Sequence, residues 1–232
     1  MTETSSRAGG PRADAVRRSY DTVAADYHRL LEGHLETVPR DRAVLELFAR
    51  EVAAEAAAGR IPAAVADLGC GTGRVTRHLR DLGAEVFGVD LSPGMVAVAR
   101  EAYPGLRFEV GSMTALDLPD GALGGVLAWY STVHLDEPEL ALVLREFARV
   151  LAPGGRLLLA FKATGGPERE HRRLERAYGH AVELDVYRWA PERIARLLAA
   201  AGLVESARLV CEPGPGDASP QGFVLARRPR TA

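Results

Sequence analysis

The stretch VADLGCGTGR, residues 65–74, sets three glycines at alternate positions straight after an apolar run, with Asp67 just ahead of the first. A buried strand that runs into Gly69, Gly71 and Gly73 must turn sharply. Side chains are missing where a ligand can lie directly on backbone. The free N–H groups of a helix that starts after the loop favour a negative group, such as a carboxylate. This one feature points to an α/β sheet with its ligand at the carboxyl end of the first strand.

The remaining sequence carries the alternation such a sheet requires. Short apolar runs at 64–68, 85–89, 106–110, 125–129, 156–161, 204–210 and 222–226 read as strands. Between them, 72–82, 93–102, 138–151, 168–178 and 191–201 read as helices. Ser92-Pro93 offers an N-cap followed by proline, and Pro138 and Pro191 open their helices similarly. Strands alternating with helices imply right-handed crossovers. The expected fold is a Rossmann-like, doubly wound, mostly parallel seven-stranded sheet. The Gly/Pro-rich stretch at 211–221 reads as a loop joining the last two strands, which makes the final pairing antiparallel. The expected organisation is a flexible tail over 1–11, an N-terminal helical cap over 12–60 and an α/β domain over 61–232. An insertion on its acceptor side covers about 162–190.

Composition narrows the function. Twenty-nine Lys and Arg against 31 Asp and Glu leave no basic excess, so no nucleic-acid partner is expected. No apolar run approaches the roughly 20 residues of a membrane span, and MTETSSRAGGPRADA lacks the apolar core of a signal peptide. Two cysteines, Cys70 and Cys211, fit a reducing compartment, and a cytoplasmic monomer or homodimer is expected. The Ala-, Arg- and Gly-rich composition suggests a bacterial source. No CxxC, HExxH or GxSxG occurs, and no metal is expected.

Spacing selects the ligand. A dinucleotide fingerprint is GxGxxG; counted from Gly69, the sixth position is Arg74, so the loop is GxGxG instead. The second strand, AEVFGVD, ends in Asp90, whose carboxylate suits a ribose diol. VADLGCGTGRVTRHL, VFGVDLSPGMVAVAR and ARVLAPGGRLLLAFK together resemble the successive motifs of class I S-adenosylmethionine-dependent methyltransferases, over about residues 60–165. YDTVAADYH, 20–28, resembles the N-terminal segment of the branch that methylates small molecules, including quinone precursors.

The resemblance implies that the backbone of Gly69, Cys70, Gly71 and Gly73 holds the methionine end of S-adenosylmethionine. Asp67 orients that loop or reaches the cofactor's amino group, or else only stabilises the turn. Asp90 takes the ribose, and Leu91 and Met95 pack on the adenine. Ser112 stands where the family often has an acid for the adenine amino group, which shifts base recognition toward backbone and Met113. Trp129 is expected near the cofactor, and Tyr20 and Tyr27 close over the methionine end. Tyr130 and Ser131 point toward the acceptor, and the insertion adds His171, His180, Tyr187 and Trp189 as acceptor-site candidates. His134 is the candidate general base, since an unperturbed imidazole titrates near 6.5; the other reading makes it a cap for the helix from Pro138.

The expected activity is methyl transfer to a small organic acceptor, such as a secondary metabolite or a quinone-like compound, with S-adenosylhomocysteine as product. The alternative is a protein that holds S-adenosylmethionine for a structural or cyclase-type purpose without transferring the methyl group.

Overall fold

The computed structural model describes residues 10–166, 169–214 and 217–230. Positions 1–9 of the expected tail lie outside them. Pro11 already opens a helix, α1 (Pro11–Leu31), and after one 3-10 turn α2 runs Pro39–Ala57. The core then builds as β1 (Ala64–Leu68), α3 (Arg74–Asp81), β2 (Glu85–Asp90), α4 (Pro93–Ala102), β3 (Phe108–Val110), β4 (Leu123–Trp129), α5 (Glu137–Val150) and β5 (Leu151–Lys162). It continues through β6 (Arg169–Ala177), β7 (His180–Trp189), α6 (Pro191–Ala200), β8 (Val204–Cys211) and β9 (Gln221–Arg227).

Seven strands form one sheet in the order β3-β2-β1-β4-β5-β9-β8. Pairings from β3 through β5 are parallel, and β9 runs antiparallel to both its neighbours. Every residue of β4 is buried, as befits a central strand covered on both faces. One face packs on α5 and α6 through Leu140, Leu144, Phe147, Ile194 and Leu198. The other packs on α2 and α3 through Leu45, Phe48, Val75 and Leu79. Local signals place the helix starts. The Ser92 hydroxyl accepts from Met95 N–H, and Asp136 and Glu139 form a capping box on α5.

The clearest departure from the sequence reading lies at 168–178. Arg, Glu and Leu favour a helix there, yet residues 169–177 form β6, paired with β7 in a separate two-stranded sheet. The turn between them decides it. Tyr178 (φ 52°) and Gly179 (φ 84°) are both left-handed, as a two-residue hairpin turn requires. Alternate positions Val182 and Leu184 of β7 are buried against Val23, Ala24 and Met95. Packing of that alternating face overrides the helix propensity of β6. α1 is thereby clamped between α4 and the hairpin, as a roof over the carboxyl edge of the sheet. Asp21 fixes it there: its carboxylate accepts from the Ser92 hydroxyl at 2.6 Å and from Gly94 N–H at 2.9 Å.

Candidate active site

Beneath α1 lies a cavity of about 950 Å³, lined by the ends of β1, β2, β4 and β5 and by Tyr178 of the hairpin. That is the upper end of the roughly 300–1,000 Å³ of small-molecule sites. The glycine loop forms its floor. Gly69 and Cys70 donate to the Val89 carbonyl at 2.7 and 3.1 Å, and all three loop glycines have positive φ. Their roles differ. A Cβ on Gly69 would sit 2.2 Å from that of Ser131, and one on Gly73 would strike the Phe108 ring at 2.6 Å. These two are bare so that the protein can pack. Gly71 faces the cavity, and a Cβ there would meet only the Tyr27 ring, at 3.7 Å.

Asp90 organises the loop. Its Oδ2 accepts from Gly71 N–H and its Oδ1 from Ser92 N–H, both at 2.8 Å. Each oxygen keeps a second acceptor site for a ligand. Burial pushes its carboxyl above the usual range. Asp67 is fully buried; its Oδ2 accepts from the Thr76 hydroxyl at 2.6 Å, while Oδ1 has no partner among the described residues. Burial pushes its carboxyl up to about 7. A second orphan stands beside it: Nη1 of Arg74, the first residue of α3, is buried without a partner. Asp67 and Arg74 both line a side chamber of about 20 Å³ that shares Tyr27, Gly69, Arg74 and Trp129 with the main cavity. A buried carboxylate oxygen and a buried guanidinium nitrogen that both lack partners are costly. One group carrying both an ammonium and a carboxylate would satisfy both.

Most sequence-predicted residues converge here. Tyr20, Tyr27, Leu91, Met95, Ser112, Met113, Trp129, Tyr130, Ser131 and His134 all line the cavity. Several are partly committed. Ser112 Oγ bonds the Thr114 hydroxyl at 2.8 Å, and Ser131 Oγ donates to the Leu68 carbonyl at 2.6 Å. Cys70 turns its thiol into a cluster with Val96, Ala99 and Phe108, leaving only its backbone for a ligand. Tyr130 is held at φ 54°, an uncommon backbone state for a bulky side chain.

The residues proposed from the insertion are not brought to the cavity wall. Tyr187 and Trp189 are core residues, 4% and 1% exposed, facing α5 and α6. His171 lies on the outer strand, stacked on Tyr187 and bonded to Asp185, and His180 pairs with Asp26. His171 lies in the stretch that reads as a helix, whereas His180, Tyr187 and Trp189 belong to β7, whose alternation buries Tyr187 and Trp189. The residues that sequence reasoning missed are Asp21, Arg40, Arg74, Lys162 and Gln221. Only Arg74 carried a local signal, since it immediately follows the last loop glycine.

His134 is buried and bonded on both ring nitrogens. Nδ1 lies 2.7 Å from the Asp185 carbonyl oxygen, which can only accept, so the proton sits on Nδ1. Nε2 is then the acceptor for the Tyr20 hydroxyl, at 2.8 Å. Burial pushes the imidazole below its ordinary value, keeping it neutral. It is not the helix cap, because Asp136 holds that position.

Residues 65–155 match the family described as a methyltransferase domain. Those residues are the part of the chain that is similar to a methyltransferase domain. The chain is 32% identical to a demethylmenaquinone methyltransferase of Chlorobaculum parvum over 142 residues, 61% of this chain and 57% of that protein. It is 38% identical to a trans-aconitate 2-methyltransferase of Methylobacterium nodulans over 146 residues, 60% of this chain and 50% of that protein. The chain thus matches about half the length of these relatives. Its fold extends the likeness: it superposes on the Burkholderia thailandensis 1,6-didemethyltoxoflavin-N1-methyltransferase with a TM-score of 0.68 at 21% identity, covering 97% of this chain and 93% of that one. The mostly parallel seven-stranded sheet therefore has a Rossmann-like fold that the Burkholderia structure shares. Among the described residues, no helix is long and apolar enough to cross a membrane.

Proposed function

We propose that the protein transfers a methyl group from S-adenosylmethionine to a small organic acceptor. The observation that carries this reading is the orphan pair under the glycine loop, Asp67 Oδ1 and Arg74 Nη1. Arg74 receives the cofactor's carboxylate and Asp67 its ammonium, while Asp90 accepts from the ribose hydroxyls. Leu91, Met95, Ser112 and Met113 surround the adenine, and Tyr27 and Trp129 close the methionine end. S-adenosylmethionine supplies a sulfonium methyl that is already activated for transfer. The relatives named for quinone-type and small-acid methylation support a small-molecule acceptor. The two cysteines, neither in a disulfide, support a reducing, cytoplasmic setting, and the composition supports a bacterial one.

The chain's own work is then to place the acceptor and receive its proton. Placement alone supplies roughly 7–11 kcal/mol when the geometry is good. The proton leaves through the Tyr20–His134 pair: the Tyr20 oxygen accepts it as the Tyr20 proton moves to Nε2, and Asp185 holds the ring at Nδ1. His134→Ala is expected to lower kcat about 100-fold and to leave cofactor affinity within about threefold, because the ring acts only on the acceptor's proton. Since burial lowers the imidazole's pKa, the acid limb of the wild-type rate profile falls below pH 6.5, and the variant loses it. A variant with wild-type turnover and an unchanged profile removes His134 from the chemistry.

The transferase reading itself is tested by product analysis. Incubation of the protein with S-adenosylmethionine and a metabolite panel should yield S-adenosylhomocysteine and a product heavier by one methylene, about 14 mass units. Cofactor binding with no turnover across the panel favours the non-transferring alternative.

A further inference from the structure

The end of the cavity away from α4 contains a cation that the transferase reading does not use. Lys162, the last residue of β5, lines the cavity together with Gln221, its register partner on β9, and Tyr130. Its Nζ donates to Gln221 Oε1 at 3.0 Å and lies 4.8 Å from the centre of the Tyr130 ring. The Gln221 amide is itself fixed, since its Nε2 donates to the Ser219 carbonyl at 2.6 Å. Among the described residues Lys162 is therefore held by two neutral groups, which leaves two of its three N–H donors for other partners.

The charges around it are unevenly shared. Asp41 and Asp217 are the acids of this corner, and Arg40 takes both, at 3.2 and 4.0 Å. Among the described residues Lys162 forms no salt bridge, while Arg40 and Arg188 add positive charge nearby. Half-burial disfavours the ammonium and lowers its pKa, against the opposing pull of Asp217 and Asp41, both of which pair with Arg40 instead. The corner is adjacent to the methyl-transfer floor, because Tyr130 is followed by Ser131, which packs on Gly69. Tyr130, at φ 54° just past the end of β4, presents its ring to Lys162.

We propose that this corner is an anion subsite in which Lys162, oriented by Gln221 and Tyr130, binds a carboxylate of the acceptor, so that the acceptor is an organic acid. The inference rests on the transferase reading but makes a separate claim. A carboxylate here would complete the shell of Lys162 with charge-assisted hydrogen bonds, and the aromatic wall of Tyr130 and Trp129 suits an unsaturated or aromatic body.

The test uses matched acids and amides on the protein saturated with S-adenosylhomocysteine. 4-Hydroxybenzoate and cinnamate are compared by calorimetry with 4-hydroxybenzamide and cinnamamide, on wild type, Lys162→Met and Lys162→Arg. At least one acid should bind about tenfold or more tighter than its amide, the scale of a charge-assisted contact. Lys162→Met should bring that pair within about threefold, and Lys162→Arg should keep most of the preference. S-adenosylhomocysteine affinity should survive in both variants. Absence of any acid preference in wild type, or a preference that persists in Lys162→Met, overturns the proposal. A wild-type protein that does not bind S-adenosylhomocysteine at all instead overturns the transferase reading beneath it.

Discussion

Gly71→Val is expected to abolish S-adenosylmethionine binding in a protein that remains folded. The position separates ligand space from packing space. A Cβ at Gly69 or Gly73 collides with Ser131 or Phe108 inside the protein, so substitution there tests the fold. At Gly71 the nearest atom to such a Cβ is 3.7 Å away, and the branched side chain projects into the cavity. The backbone there, at φ 55°, is also one that a β-branched residue resists, so the loop tightens against the ligand as well as filling its place. Circular dichroism should match wild type, with a melting temperature lower by only a few degrees. A valine variant that binds the cofactor normally would mean that the loop faces something else.

Asp90→Ala should weaken cofactor binding by about 2–4 kcal/mol, or about 30- to 1,000-fold in Kd. Two losses combine. The ribose hydroxyls lose their acceptor, and Gly71 and Ser92 lose the carboxylate that orients their N–H groups. Asp90→Asn separates them in part, since its single amide oxygen can serve the loop or the sugar but not both fully. Its Kd should fall between wild type and alanine. An alanine variant whose Kd stays within threefold of wild type refutes the ribose assignment.

The sheet was legible because its signals are local. The apolar runs, the Ser92-Pro93 cap and the GxGxG turn each act within a few residues, and β1, β2 and α4 fall where those signals place them. The floor of the cavity was legible for the same reason: Gly71, Asp90 and Met113 line it at or just beyond strand ends that the alternation locates. The acceptor side was not. Arg, Glu and Leu at 169–177 speak for a helix, and only pairing with β7, nucleated by the Tyr178-Gly179 turn, makes a strand. The aromatic end of the insertion speaks for Tyr187 and Trp189 at the acceptor, and the alternation of β7 buries both in the core instead. Lys162 and Gln221 were invisible for a different reason. They are 59 residues apart and meet only through the antiparallel register of β5 and β9. The Tyr20–His134 contact spans 114 residues and depends on α1 folding back as a roof.

The orphan carboxylate also makes the central claim measurable through protons. With its carboxyl raised to about 7, Asp67 in the folded chain holds a proton between roughly pH 4 and 7 that the unfolded chain has lost. Asp67 therefore lowers stability progressively as pH rises through that window. An ammonium placed against Oδ1 reverses the preference and expels the proton. Isothermal titration with S-adenosylmethionine at pH 6.5, in two buffers of different ionisation enthalpy, tests this directly. The predicted result is saturable one-to-one binding with release of a substantial fraction of a proton, and no heat with NAD. Binding of NAD with no response to S-adenosylmethionine would contradict the account.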